Sequence, residues 1–394
     1  MTASTSYNGT GGAVSAPQCC SSRLNQAGGS PFSSSGSEFL PAIATMSLGK
    51  AGLHPLNKKL EAAALQGFCG VELFWDDLVA YDDVMHRQMG DEPGVKSHGL
   101  LRTSAALKKL CDKLGLQIVS LQPFRNYDGI TSPELHEERI EEFKDWLAVA
   151  QALGAGVVGV PSTIAPNDKT HSGDVAVIAS DLAELAALAK PYNIRVAYEN
   201  LCFAAHIRTW AQAWEAIVRA GDMEGIGFLV DTFNICGDSF ADPSRPGGVA
   251  VDGEEEFRRS LKQLIDTVPM SSIPFLQVAD AELMTPPIHQ GHPWMDGCFH
   301  PKMAWSRNAR LFPFEKPGYL PLLPVIRAMV RAGWKGWVSL EVFSRTTESE
   351  GEGTIWDHAR RAWNSWTKLA AVMKWDMNPR NAHAGDHQDS SESE

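Results

Sequence analysis

Long apolar runs are missing from this sequence: no stretch approaches the ~20 residues that a membrane-spanning helix requires. Positive charge is scarce too. With 35 basic against 47 acidic residues the net charge is −12, and no basic run stands out, so the electrostatic footprint of a nucleic-acid binder is absent. Seven cysteines occur at irregular spacings without a single C-x-x-C. That argues against a disulfide framework or a thiolate zinc site, and for reduced thiols in a cytoplasmic protein. No G-x-G-x-x-G follows an apolar run, which weakens a dinucleotide-binding open sheet. Residues 1–38 are rich in Ser, Gly, Thr and Asn, have no apolar core and contain one arginine, Arg23. They fit neither a secretory signal nor a mitochondrial presequence. They and the polar, acidic residues 378–394 are expected to be disordered tails, since neither can bury enough surface to offset its ordering entropy.

What is present is a 394-residue chain with 44% hydrophobic residues, enough for one large folded domain over 39–377. Short runs rich in Val, Ile, Leu and Phe recur at 42–46, 70–74, 117–121, 157–160, 195–199, 226–231, 275–278 and 337–342. Near-continuous apolar strands suit a parallel sheet covered on both faces. Helical stripes lie between them, such as Ile140, Phe143, Leu147 and Ala150, or Ile178, Leu182, Leu185 and Leu188. Glycines such as Gly67 and Gly154 stand where a helix must close before the next strand. Eight strands alternating with about eight helices predict an α/β fold, a (β/α)8 TIM barrel. Two long strand-to-helix loops, 232–252 after the sixth strand and 279–319 after the seventh, then fall on the rim where such barrels place their chemistry.

Four late strands each finish on a polar residue behind an apolar run: Glu199, Asp231, Gln277 and Glu341. A carboxylate at such a place is costly unless it is paired or metal-bound. Three carboxylates and an amide oxygen form a hard, all-oxygen set, suited to a divalent metal, Mg²⁺, Mn²⁺ or Co²⁺, acting as a Lewis acid. The same rim gathers Glu72, Gln122, Arg125, His206, His289, His292, His300, Ser306, Arg307 and Arg310. Arginines there could grip a substrate carboxylate by a two-pronged bond. If residues 306–310 are helical, Ser306 and Arg310 share a face and Arg307 points elsewhere. Arg310 and Arg125 are therefore the expected carboxylate partners.

The ordered segments ATMSLG, GVELFWDDL, LQPFRNYDG, YENLC, DTFNICGDSFADP, QVADAE, WSRNARLF and GWVSLEVF resemble those of fungal 3-dehydroshikimate dehydratases, within the xylose-isomerase-like superfamily. The resemblance implies a small-molecule substrate, 3-dehydroshikimate, and metal-dependent loss of water to give protocatechuate. It carries the metal ligands onto Glu199, Asp231, Gln277 and Glu341, and substrate contacts onto Arg125 and the segment from Ser306 to Arg310. Gln122 and Asn234 join the expected substrate-binding set. Bacterial relatives have a histidine three positions after the Asp ligand, where this chain has Asn234, so the base is left among His292, His206 and Glu72. The rival expectations are a sugar or hydroxypyruvate isomerase or epimerase on the same barrel, or a catalytically dead barrel that binds.

Overall fold

In the computed structural model the described residues are 38–89, 96–164, 169–351 and 353–376. The expected tails lie outside them, except that Glu38 is already tied in by its carbonyl, which accepts from the Gly336 N–H at 3.1 Å.

Eight parallel strands close into a barrel. They are β1 (Phe39–Ala44), β2 (Gly70–Phe74), β3 (Gln117–Gln122), β4 (Val157–Pro161), β5 (Arg195–Glu199), β6 (Ile226–Asp231), β7 (Phe275–Val278) and, after two short strands β8 (Asp280–Ala281) and β9 (Arg310–Leu311), β10 (Gly336–Leu340). Going round, the order is β1-β10-β7-β6-β5-β4-β3-β2. Closure leaves no unpaired strand edge. Helices cover the outside, so most strand residues are buried on both faces, and that explains their unbroken apolar character.

The helices are α1 (Leu56–Gln66), α2 (Trp75–Met89), α3 (Lys96–Leu114), α4 (Pro133–Leu153), α5 (Val175–Ala189), α6 (Trp210–Ala220), α7 (Thr232–Ser239), α8 (Gly253–Thr267), α9 (Pro301–Asn308), α10 (Leu322–Arg331) and α11 (Gly353–Met373). Helix α4 shows why the sequence breaks where it does. Ser132 accepts from the Leu135 N–H and Pro133 opens the first turn. The stripe Ile140, Phe143, Leu147 and Ala150 is buried. Gly154, at φ 70°, then takes the left-handed conformation and caps the last carbonyls. No helix among the described residues is long and apolar enough to cross a membrane.

The long rim segments are more structured than loops. The segment after β6 begins with α7, a helix too short and too Gly-interrupted to show a stripe, but capped by Asp231 itself, which accepts from the Phe233 N–H. The segment after β7 folds the antiparallel pair β8–β9 and the helix α9. With these, eleven α-helices stand among the described residues where about eight were expected.

Candidate metal centre

The four strand-end residues meet at the carboxyl end of the barrel. Glu199 and Asp231 are the last residues of β5 and β6, Gln277 is the third of β7, and Glu341 follows β10 directly. Parallel register sets them level: Asp231 pairs with Gln277, and Gln277 with Ser339 on β10. Glu199, Asp231 and Glu341 each bring a carboxylate oxygen within 4.8 Å of the others, and all are buried. The Gln277 amide donates to Glu341 Oε1 at 3.0 Å and to Glu72 Oε2 at 2.9 Å. Its own Oε1 is buried without a hydrogen-bond partner, and so is Glu72 Oε1. Unsatisfied buried oxygens are rare in native interiors. Three carboxylates and an orphaned amide oxygen fit a hard divalent cation.

Electrostatics point the same way. Burial pushes the Glu199 and Glu341 carboxyls well above the ordinary range; for Glu199 the neighbouring Glu341 and Asp231 charges push further. Asp231 is raised by burial against the pull of Arg310. Glu72 is pushed up to about 7, again chiefly by burial. A cluster that resists ionisation by itself is one that an added cation stabilises.

Arg310 is the basic group inside the cluster. It lies not on a helix, as expected, but on β9, because α9 stops at Asn308. It still reaches Ser306: Nε and Nη2 donate to Ser306 Oγ at 3.3 and 3.1 Å. Its Nη1 donates to Asp231 Oδ2 at 2.8 Å and Glu341 Oε2 at 3.1 Å. The guanidinium carbon lies 4.2 Å from the Phe233 ring centre and 4.9 Å from that of Phe343. These two rings were missed in the sequence. The signal was there: each stands two residues beyond a carboxylate, Asp231 or Glu341.

The other expected site residues divide into two groups. Gln122 donates to Glu72 Oε2 at 2.6 Å and to Glu341 Oε1 at 3.2 Å, so Glu72 and Gln122 belong to the centre. Asn234, on α7, donates to Glu199 Oε1 at 2.8 Å and Asp231 Oδ2 at 2.9 Å, while its own Oδ1 accepts from the Cys202 N–H. The structure does not bring the remaining four into this network. Arg125 is 41% exposed and pairs with Asp76 at 2.8 Å. Arg307 faces out toward Cys298. His292 caps a short helical turn through the Trp294 N–H. His206 packs beside Gly173 on the rim.

The chain matches the xylose isomerase-like TIM barrel family over residues 60–366. It is 36% identical to the 3-dehydroshikimate dehydratase of Neurospora crassa over 341 residues, covering 84% of this chain and 94% of that protein. The chain belongs to this family, in the branch of the 3-dehydroshikimate dehydratases. The enzyme of that name from Pseudomonas aeruginosa is 32% identical across 77% of this chain, but this chain covers only 38% of its length. Among solved structures, the IolI protein with a bound zinc atom superimposes with a TM-score of 0.60 at 16% identity, over 86% of this chain and 99% of that one. At that identity the likeness shows the shared barrel. The carboxylate cluster lies at the carboxyl end of this barrel, the end where such folds hold their active sites.

Proposed function

We propose that this chain removes water from 3-dehydroshikimate to give protocatechuate, with Glu199, Asp231, Gln277 and Glu341 holding a divalent ion, Mg²⁺, Mn²⁺ or Co²⁺. One observation carries the reading: a chain that matches a dehydratase of that name across 94% of its length joins three buried carboxylates at its strand ends. The ion, when bound, supplies Lewis acidity beside the substrate's C3 ketone and C4 hydroxyl, which acidifies the C4 proton.

The chain's own residues do the rest. Gln122 and Gln277 hold Glu72 by its Oε2 and leave Oε1 unengaged. Among the three candidate bases, Glu72 is the one hydrogen-bonded to the ligand set, so it is the group placed to accept the C4 proton. Asn234 has no ionisable group. Its amide bridges two carboxylates, a positioning role rather than proton transfer. Loss of the C5 hydroxyl as water then leads, by tautomerisation, to the aromatic ring. Arg125 at the rim meets the incoming carboxylate, and Arg310 keeps positive charge at the floor of the site.

The test is direct. Purified chain loaded with Mn²⁺ or Mg²⁺ should turn 3-dehydroshikimate into a product with the absorbance of protocatechuate. Glu72→Gln should retain one bound ion per chain while losing about a hundredfold or more in kcat. No product with any of the three metals would overturn the assignment, and turnover of a sugar instead would point to an isomerase on this barrel.

A further inference from the structure

The carboxylate oxygens of Asp231 and Glu341 already accept from nitrogen donors. Asp231 Oδ1 takes the Phe233 N–H, and Oδ2 takes both Asn234 Nδ2 and Arg310 Nη1. Glu341 Oε1 takes the two glutamine amides, and Oε2 takes Arg310 Nη1. A carboxylate oxygen offers about two in-plane lone pairs. Asp231 Oδ2 is therefore full, and Arg310 Nη1 lies between the two carboxylates that a divalent ion needs. The same guanidinium is 1% exposed, fixed from behind by Ser306 and flanked by two aromatic faces.

We propose that Arg310 is a stand-in cation: it holds the place of the divalent ion in the metal-free chain and gives up its bonds to Asp231 and Glu341 when the ion enters. This rests on reading Glu199, Asp231, Gln277 and Glu341 as metal ligands. The charge balance favours exchange. Three carboxyl groups face one guanidinium, and a divalent ion favours their ionised forms more strongly, but ion and guanidinium cannot share one lone pair. The exchange also accounts for a fork with four of its five N–H donors engaged. Nη1 is committed to carboxylates, Nε and Nη2 to Ser306 Oγ, so no parallel pair is free for a substrate carboxylate until Nη1 is released.

The experiment strips the full-length protein of metal with a chelator, then titrates Mn²⁺ by calorimetry into wild type, Arg310→Met and Glu199→Gln, with thermal melts of each with and without metal. Exchange predicts that Arg310→Met binds Mn²⁺ about tenfold tighter or more, because the ion no longer displaces a bound cation. It also predicts a lower melting temperature for the metal-free variant and a larger rise on adding Mn²⁺. Equal or weaker binding in Arg310→Met overturns the proposal, since it means that guanidinium and ion sit together. If Arg310→Met does not fold, wild-type crystals with and without Mn²⁺ decide. The Nη1-to-Asp231 Oδ2 separation should open beyond about 3.5 Å with metal, and an unchanged contact overturns exchange. Glu199→Gln keeps the two failures apart. If it binds Mn²⁺ as well as wild type does, the ligand set itself is wrong and the proposal falls with it.

Discussion

Two buried acidic sites in this barrel are built on opposite plans. Beneath the β1 rim, Lys59 on α1 donates to Asp77 Oδ1 on α2 at 2.6 Å, and neither side chain is more than 1% exposed. Burial drives the lysine pKa down and the aspartate pKa up, and each is held back mainly by the other. One charge meets one charge, and a second ammonium proton goes to the Gly49 carbonyl. At the other site, Glu199, Asp231 and Glu341, with Glu72 beside them, face Arg310 as their one paired cation among the described residues. The charge of that ion pair is balanced within the chain, although Asp77 Oδ2 keeps no hydrogen-bond partner; the charge of the centre is not balanced. That imbalance supports the proposed metal site, because perturbed buried charges without a matching partner cluster at functional sites.

The largest effects should come from changing that imbalance. Glu341→Gln removes one negative charge and a ligand oxygen. It should abolish Mn²⁺ binding in calorimetry and cost about a thousandfold or more in kcat for 3-dehydroshikimate. The metal-free melting temperature should hold or rise, because one of several mutually repelling carboxylates is gone. A marked fall in metal-free stability would show that Glu341 is a structural partner of Arg310, as Asp77 is of Lys59, and the contrast would fail.

The reverse pattern is expected at the closed pair. Lys59→Met leaves Asp77 buried with no countercharge. Breaking such a pair from one side costs about 3–5 kcal/mol, measurable as a shift in the denaturation midpoint. Binding of one Mn²⁺ per chain should survive. If stability holds and metal binding is lost, then the Lys59–Asp77 pair shapes the centre and the two sites are not independent.

The sequence made one of these sites legible and hid the other, for a physical reason. Glu199, Asp231, Gln277 and Glu341 sit in period with apolar strands, so each breaks a pattern at a place where strand ends converge. Lys59 and Asp77 lie in helical segments that read as ordinary charged surface, and only their approach across 18 positions shows that they are buried. Barrel strands were legible to within a few residues because burial on both faces leaves a continuous apolar run. The main shift is at β1, which begins at Phe39 where Phe39 stacks on Trp375 at 4.4 Å, a contact from the far end of the chain. Helix α7 and the place of Arg310 on β9 were not legible. Both depend on tertiary capping and pairing, the Asp231 cap and the β8–β9 bridge, rather than on periodicity.

Arg125 tests the boundary between centre and rim with the smallest change. It is exposed and paired with an exposed Asp76, and such pairs contribute about 0–1 kcal/mol to stability. Arg125→Ala should therefore leave the melting temperature and the Mn²⁺ affinity unchanged within error, unlike any substitution in the buried network. If Arg125 meets the substrate carboxylate on entry, KM for 3-dehydroshikimate should rise about tenfold, the equivalent of about 1.4 kcal/mol, with kcat little altered. Asp76→Ala serves as the control. It breaks the same ion pair but leaves the guanidinium free, so KM should stay level or fall. Equal increases in KM for both variants would mean that the pair only orders the rim. No change in either would remove Arg125 from substrate recognition and leave anion binding to the buried guanidinium of Arg310.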